Sequence, residues 1–591
     1  MPHADRQTIA APAADATLPE GDCGARAVFA WFAASHARAL AGLVALALAL
    51  FLPGFCSLQP MDRDEPRFAQ ATKQMLESGD YVAIRFQDEA RNKKPVGVYW
   101  LQAGAVKLAE AAGVPDARAA IAVYRLPSLL GAVAAVLLAY WALLAMGGRL
   151  VAVAGAALFA ATALLSVEAR LAKTDAVLTA CCVVMMGALA RAWLARGRGP
   201  EAVGRGVWLA FWGALALSFL VKGPVGLMLV ALPAAALSLR ARSLRWLGAL
   251  RPLPGLVLAL IVVAPWFIAI AIETKGAFFV EAVGKDMLGK VSSGQEKHWG
   301  PPGAYFLAFF GTAWPLAPFA AIAAQTLWRE RRDDVVAFVM AWVIPAWLVF
   351  EAVPTKLPHY VLPLYPAIAL LAARALVRGE LAPAARWGAR PAMLLLPLIP
   401  VAGLALLPAA GHALDGATPW LAVAGLAVAA ALSVLAWRAY AAGLAWRTAL
   451  LALVTAVAFM ASTLGAMLPQ MQGLRISPRL AAAMHEAAER TGCRDMKALT
   501  AGYREPSLVF LTRTDLVMAD GRAAADWIRQ GDCRVAFLTA PEEKVFLDRL
   551  AQEGAARPQE IARVRGFNLN GGKRLDIGVW ARGRGAAGAG G

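Results

Sequence analysis

The sequence predicts a polytopic α-helical membrane protein of about thirteen transmembrane helices, with further helices at the membrane surface and a small soluble α/β domain at the C-terminal end. Three observations predict it. Of 591 residues, 59% are hydrophobic and only 17% are charged, with a mean hydropathy of +0.56. A soluble chain of this length carries far more charge. Apolar runs long enough to cross a bilayer recur from Leu40 to Leu468. Beyond them, residues 469–591 alternate β-like runs with helical ones.

The expected spans are 38–55, 121–145, 150–166, 174–194, 206–222, 224–240, 254–272, 303–325, 335–352, 360–377, 391–408, 419–437 and 446–468. They divide the chain into an N-terminal segment, 1–37, a membrane unit, 38–468, and the tail, 469–591. Residues 1–37 are polar and Ala-rich, with one amphipathic piece around Arg26–Arg38, and the first span has the character of an uncleaved anchor. Two long connections lie within the membrane unit, 56–120 and 273–303. In the first, Pro66 opens a helical pattern through Phe68, Ala71, Met75 and Leu76, and a second runs from Val96 through Tyr99, Trp100 and Val106. Helices of this kind, with aromatic residues at their edge, lie in the bilayer interface.

Orientation follows from the arginines. They crowd alternate short loops, as with Arg240, Arg242, Arg245 and Arg251, or Arg329, Arg331 and Arg332. The positive-inside rule makes these loops cytoplasmic and puts 1–37 on the same side. The loops 56–120 and 273–303 and the tail then face the opposite compartment. Much of the net charge of +18 sits in these loops, and it does not mark a nucleic-acid surface. In the tail, the runs 498–501, 507–511, 535–538 and 575–580 are β-like, and 479–490, 522–529 and 542–552 are helical. Cys493 and Cys533 both fall there, where a disulfide is permitted, though their spacing does not establish one. The tail holds no nucleophile–base pair and no glycine-rich phosphate loop. Its expected role is to cap the membrane unit and shape acceptor access, with Gly502-Tyr-Arg-Glu-Pro506 as a turn against it.

Chemistry-bearing residues gather at one set of span ends. Met61-Asp-Arg-Asp-Glu-Pro-Arg67 follows the first span, and Glu168-Ala-Arg-Leu-Ala-Lys-Thr-Asp175 interrupts an apolar hairpin. The span middles are nearly free of charge, which argues against a transporter or flippase, where ionisable groups line a path near the midplane. A mixed ring of acids and bases at a lipid–water boundary suits phosphate-linked substrates on lipid carriers: cations offset a phosphate leaving group, while carboxylates position the partner or hold a bridging metal. Plainer alternatives stand beside each residue. Asp64 and Glu65 also suit a helix N-terminus before Pro66. Asp175 also suits an ion pair with Lys173, and Tyr99 a membrane belt.

Asp64-Glu-Pro-Arg67, Lys94-Pro-Val-Gly-Val-Tyr-Trp100, Lys173-Thr-Asp-Ala-Val177, Lys222-Gly-Pro224 and Lys356-Leu-Pro-His-Tyr-Val-Leu-Pro363 together resemble the GT-C class of membrane glycosyltransferases, to which protein O-mannosyltransferases also belong. The resemblance covers roughly residues 38–470. Within that class the chain looks most like the aminoarabinose transferases that modify lipid A, given the span count, the tail motif Gly502–Leu508 and the segment from Glu281 through His298 to Pro301. It departs from them at Lys93, where an acid is expected, and at Phe68, where an aromatic hydroxyl is expected; both weigh against a metal site in that loop.

The resemblance implies an inverting transfer of 4-amino-4-deoxy-L-arabinose from undecaprenyl phosphate to a lipid A phosphate. By the same resemblance the transfer would take place at the periplasmic face of a Gram-negative inner membrane and would lower surface affinity for polymyxin and cationic peptides. It implies Asp64, Asp175 and Glu65 as catalytic acids. Arg67, Lys94 and Lys356 would sit around the donor phosphate, with Lys173, Tyr99, His298, His359 and Tyr360 completing the donor site. The implied partners are the undecaprenyl-linked donor, lipid A and membrane lipids, with the chain as a monomer. No cofactor is required, and a divalent metal between the carboxylates stays open. The alternatives are a transferase of the same class with a protein or glycan acceptor, and a lipid-linked sugar flippase.

Overall fold

The computed structural model describes residues 20–60, 64–282, 284, 289, 299–383 and 388–584. The chain opens with α1 (Glu20–Ala33) and α2 (His36–Phe51), joined at a 111° bend. The first long connection carries α3 (Asp64–Ser78), a two-stranded hairpin of β1 (Arg85–Phe86) and β2 (Glu89–Ala90), and α4 (Gly97–Ala111). The membrane unit continues through α5 (Ile121–Ala160), α6 (Ala163–Glu168), α7 (Asp175–Leu194), α8 (Arg205–Lys222), α9 (Val225–Ala241) and α10 (Pro252–Glu273). It closes with α11 (Ala304–Thr312), α12 (Leu316–Arg329), α13 (Asp334–Ala352), α14 (Tyr365–Val377), α15 (Leu395–Asp415), α16 (Trp420–Ala441) and α17 (Ala445–Met460).

Every expected span falls on helix, but not each on a helix of spanning length. Among the described residues, nine helices are long and apolar enough to cross a membrane, or ten if the bent pair α1–α2 counts as one span. The difference from thirteen has local causes. Helices α2 and α9 are 16 and 17 residues long, and the expected span 303–325 is broken into α11 and α12 around Trp314-Pro315. The spans 121–145 and 150–166 share the 40-residue α5, in which Gly148 alone leaves helical geometry, at φ 71° and ψ −178°. A Cβ on Gly155 would lie 2.7 Å from Leu143, although twelve residues on a straight helix are about 18 Å apart. The chain therefore folds back at Gly148, a conformation open to glycine and strained for any residue with a Cβ. The expected spans 121–145 and 150–166 are thus two helical segments on either side of Gly148.

Helix α7 is central, with 17 of its 20 residues buried against α5, α8, α9 and α13. Helix α10, by contrast, leaves Leu253, Leu256, Val257, Leu260 and Ile261 exposed. Outward-facing apolar surfaces of this size require a non-aqueous surround, and the chain is a multi-pass membrane protein.

Two buried arginines tie the connections down. Arg125 of α5, 1% exposed, donates from Nε and Nη2 to the two oxygens of Glu65, at 2.7 and 3.1 Å, and from its Nη groups to the carbonyls of Phe55, Leu58 and Gln59. Arg170, equally buried, donates to the carbonyls of Leu50, Pro53 and Ser166. The chain leaving α2 is thereby fixed to both α5 and the α6–α7 loop.

The tail is a five-stranded sheet in the order β4-β3-β5-β7-β6, made of β3 (Lys497–Ala501), β4 (Val517–Ala519), β5 (Arg534–Thr539), β6 (Gln559–Asn568) and β7 (Lys573–Arg582). Strands β4, β3 and β5 run parallel, and β7 and β6 are antiparallel additions. Helices α18 (Ile476–Thr491), α20 (Gly521–Arg529) and α21 (Ala540–Gln552) pack on it, and Cys493 and Cys533 form a disulfide. One expected strand is corrected. Residues 507–511 belong to α19 (Pro506–Leu511), because Pro506 suits a first helical position and a helix lets Leu508 and Val509 pack on the sheet's core while Phe510 turns to the cluster at α3. There Phe510 stacks edge-on to Tyr124 at 5.3 Å. Around it, Gln70 donates to Thr514 and Gln87 to the carbonyls of Thr514 and Leu516. The turn at Gly502, at φ 82°, directs the chain into this contact.

Replacing Arg125 by Met would leave the Glu65 carboxylate buried and unpaired. A loss of about 3–5 kcal/mol is expected, read as a lowered melting temperature in detergent, and the double variant R125M/E65Q should recover much of it. Equal melting temperatures for the single and double variants would show that the pair does not carry this stability.

Candidate functional site

The α6–α7 loop brings the second charged motif into one buried knot. Glu168 ends α6 and Asp175 begins α7, and the loop between them is held from two sides at Ala172. Its N–H donates to Glu65 Oε1 at 2.9 Å, and its carbonyl accepts from Gln102 of α4 at 3.1 Å; Gln102 in turn accepts from Thr72 of α3 at 2.7 Å. The start of α3 is thus bonded directly to the loop that presents Lys173 and Asp175.

Three other elements complete the knot. Lys222, the last residue of α8, bonds Asp175. Gly223 follows it at φ 65° and ψ −143°, so the Lys-Gly-Pro motif ends one helix and starts the next with the ammonium at the junction. The 3₁₀ helix Pro358–Leu364 supplies His359 and Tyr360. His359 sets Nδ1 3.6 Å from Glu168 and Nε2 3.8 Å from Asp175, while Lys222 lies 5.2 Å over the Tyr360 ring. Lys173 stands 3.6 Å from Glu168. The result is two carboxylates, two ammoniums and an imidazole within the protein at one end of the helix bundle.

Oxygens of Glu168 and Asp175 and a ring nitrogen of His359 lie within 4.8 Å of one another, close enough for a cation. Each carboxylate already faces a lysine ammonium, however. A divalent ion would have to displace two fixed positive charges, so this donor set does not fit a resident metal.

The other expected site residues separate. Asp64 and Arg67 sit on the first turn of α3, 3.6 Å apart, with side chains 40% and 20% exposed. Lys94 lies half-buried in the loop before α4. That loop is brought to Lys222 by Gly97, whose Cβ position would be 2.8 Å from the Leu220 carbonyl; the glycine in the Lys-Pro-Val-Gly motif exists for this approach. Three more of the expected residues are engaged by the protein's own groups or packing. Glu65 is fully buried, and its oxygens are engaged by Arg125 and Ala172, which makes it a positioning group. Lys356 directs all three ammonium hydrogens at the carbonyls of Phe350, Glu351 and Val353. It closes the C-terminus of α13, where a cation complements the helix dipole, and burial holds it below the ordinary lysine value, with Glu351 opposing the shift. Tyr99 is buried in an apolar cluster with Phe68, Leu220 and Trp266. His298 lies outside the described residues. Glu168 and Lys222 were legible as members of charged motifs, but without a role. The signal for Lys222 was a lysine ending an apolar span directly before Gly-Pro.

No family model matches the chain. Curated relatives named undecaprenyl phosphate-alpha-4-amino-4-deoxy-L-arabinose arabinosyl transferase include one from Pseudomonas aeruginosa strain LESB58, 29% identical over 330 residues, covering 53% of this chain and 55% of the relative. Another, from Erwinia tasmaniensis, is 25% identical over 312 residues, covering 52% and 54%. The matches span about half the length of these relatives. Among solved structures, ArnT from Cupriavidus metallidurans bound to undecaprenyl phosphate superposes with a TM-score of 0.71 at 20% identity, over 92% of this chain and 98% of that one. Its apo form gives 0.68 at 18% identity, over 93% and 98%. The chain has the fold of those proteins, which is the GT-C architecture.

Gly97→Ala should separate α4 from the end of α8 and cost about 1–3 kcal/mol. Gly104→Ala, on the same helix with nothing within 4 Å, should be neutral or stabilising by up to about 1 kcal/mol. Thermal melts of the two variants check the contrast, and equal behaviour would remove the packing reason for the glycine.

Proposed function

We propose that the protein is an inverting glycosyltransferase that moves 4-amino-4-deoxy-L-arabinose from undecaprenyl phosphate to a phosphate of lipid A, at the periplasmic face of a bacterial inner membrane. The observation that carries the reading is the buried knot of Glu168, Lys173, Asp175, Lys222 and His359 at one end of an apolar helix bundle. It is supported by the names of the curated relatives and by the shared fold of a structure with undecaprenyl phosphate bound.

In this reading an oxygen of the acceptor phosphate attacks the anomeric carbon, and the bond to the donor phosphate breaks on the opposite face. The acceptor is anionic near neutral pH, so it needs alignment more than a strong base. The leaving lipid phosphate needs positive charge in a place without water. Lys222, Lys94 and Arg67 are the cations assigned to it, since Lys356 is spent on its helix. Asp64, at the wet edge of α3, is the acid assigned to the reacting groups, and Asp175 holds Lys222 in place. We assign the membrane unit to residues 38–468, the tail to 469–591, and the active state to the monomer.

Arginine-rich alternate loops support a periplasmic tail, and the Cys493–Cys533 disulfide suits an oxidising compartment. A single cysteine at position 522 should react with a membrane-impermeant maleimide in intact cells, and one at 331 should not; the reverse pattern would invert the active face. Mass spectrometry of lipid A from a host lacking its own transferase should gain the aminoarabinose adduct when this chain is expressed. Asp64→Asn should lower transfer at least about a hundredfold in purified enzyme without lowering the melting temperature. An unmodified lipid A with the chain present in the membrane would point to a different acceptor.

A further inference from the structure

A cavity of about 560 Å³ lies far along the chain from the charged knot, where the α15–α16 turn, the link 470–473 and the tail meet. Asp415, Thr418, Gln470, Gln472, Arg479 and Arg565 are among its lining residues. Its one lining acid is already used: the two oxygens of Asp415 accept the backbone N–H groups of Gln472 and Gly473. The arginines are only partly used. Arg479 donates one Nη1 bond to the Arg565 carbonyl at 2.8 Å. Arg565, its side chain 77% exposed, pairs through Nε with Asp576, and the neighbouring Arg574 reaches the Ala413 carbonyl. Each guanidinium carries five N–H donors, more than the bonds named here use.

The height of the cavity relative to a bilayer is marked by its rim. Trp420 and Leu421, 75% and 82% exposed, begin the 22-residue apolar helix α16 directly beside the turn. An exposed tryptophan at the end of a spanning helix marks the headgroup level. An arginine-lined cavity at that level, with apolar surface below it, matches one chemistry: a phosphate held by guanidinium groups, with acyl chains running down the helix. We infer that this cavity binds the headgroup phosphate of an anionic membrane lipid, clamping the tail to the bilayer. The inference does not depend on the sugar transfer proposed above.

The wall of the cavity also touches the scaffold of the charged knot. Gln59 donates to the Leu474 carbonyl, one residue from Gly473, and its own carbonyl accepts from Arg125. Lipid in the cavity would therefore steady the segment that the buried Arg125–Glu65 pair holds.

Native mass spectrometry of the purified full-length chain, titrated with phosphatidylglycerol or phosphatidylcholine, tests the inference. Wild type should retain one phosphatidylglycerol with a preference of roughly tenfold. R565Q/R574Q should abolish the preference, R565K/R574K should keep a weaker one because the charge remains without the fork, and Arg522→Gln on α20 should leave it unchanged. The intact disulfide and melting temperature of each variant report folding. A preference that survives R565Q/R574Q would place the lipid elsewhere, including at the transferase site, and would overturn the inference. So would no preference in wild type, or equal affinity for glycerol 3-phosphate, which would make this a site for free phosphate.

Discussion

The arrangement depends on one buried ion pair. Moving a guanidinium and a carboxylate out of water costs several kcal/mol per ion, and mutual attraction offsets this only when the remaining donors are also satisfied. Arg125 meets that condition with two bonds to Glu65 and further bonds to the carbonyls of Phe55, Leu58 and Gln59. The geometry needs a planar fork, which lysine lacks. Glu65 extends the same network to the N–H of Ala172. Three stretches distant in sequence are joined at one pair: the passage from α2 into α3, the start of α5 and the α6–α7 loop. The charged knot can form because the loop bearing Lys173 and Asp175 has no freedom left at Ala172.

The knot is organised by the same rule at a smaller scale. Its carboxylates are matched by ammoniums and an imidazole, and every partner comes from a different element. Lys222 is delivered by the end of α8, His359 by a 3₁₀ turn, and Glu168 and Asp175 by consecutive helix ends. Such a set resists collapse onto a single salt bridge, because removing any member leaves an opposite charge buried. It also explains why Lys356, so close in sequence to His359, is absent from the knot. Its three donors close α13, and this cap fixes where the 3₁₀ turn begins.

Much of this was legible in the sequence, and the failures share a cause. Spans were legible because twenty apolar residues in a row have one stable solution in lipid. Lys173, Asp175 and His359 were each legible as charge beside an apolar span, which is rarely idle, and the structure gathers them in one knot. The partners of Glu65 and Lys356 were not legible, because an acid at a helix start and a lysine after a helix end look alike whether they meet a substrate or a backbone; only the fold shows where their bonds go. In the tail, β6 was missed because Glu560, Arg563 and Arg565 break its apolar pattern; in the structure Arg563 pairs with Glu560, Glu543 and Asp576, and Arg565 with Asp576. Residues 507–511 form a helix because packing on two sides, Leu508 and Val509 on the sheet's core and Phe510 at α3, outweighs a short β-like run.

That last contact changes how the tail relates to the chemistry. The sequence separates a membrane unit carrying the charged residues from a tail without any catalytic pattern. In the structure α19 inserts Phe510 against Ala69, Leu76, Tyr124 and Ala172, while Gln70, Glu77 and Gln87 make polar bonds to the segment after it. Helix α3 is therefore held on one side by α4 and on another by the tail, with Asp64 and Arg67 at its first turn. Ala172, packed in the same cluster, is the residue on which Glu65 and Gln102 converge. The tail contributes no reacting group, yet it shares the cluster that fixes the acid-bearing helix and the loop before Asp175. Its position is a condition for the geometry of the site.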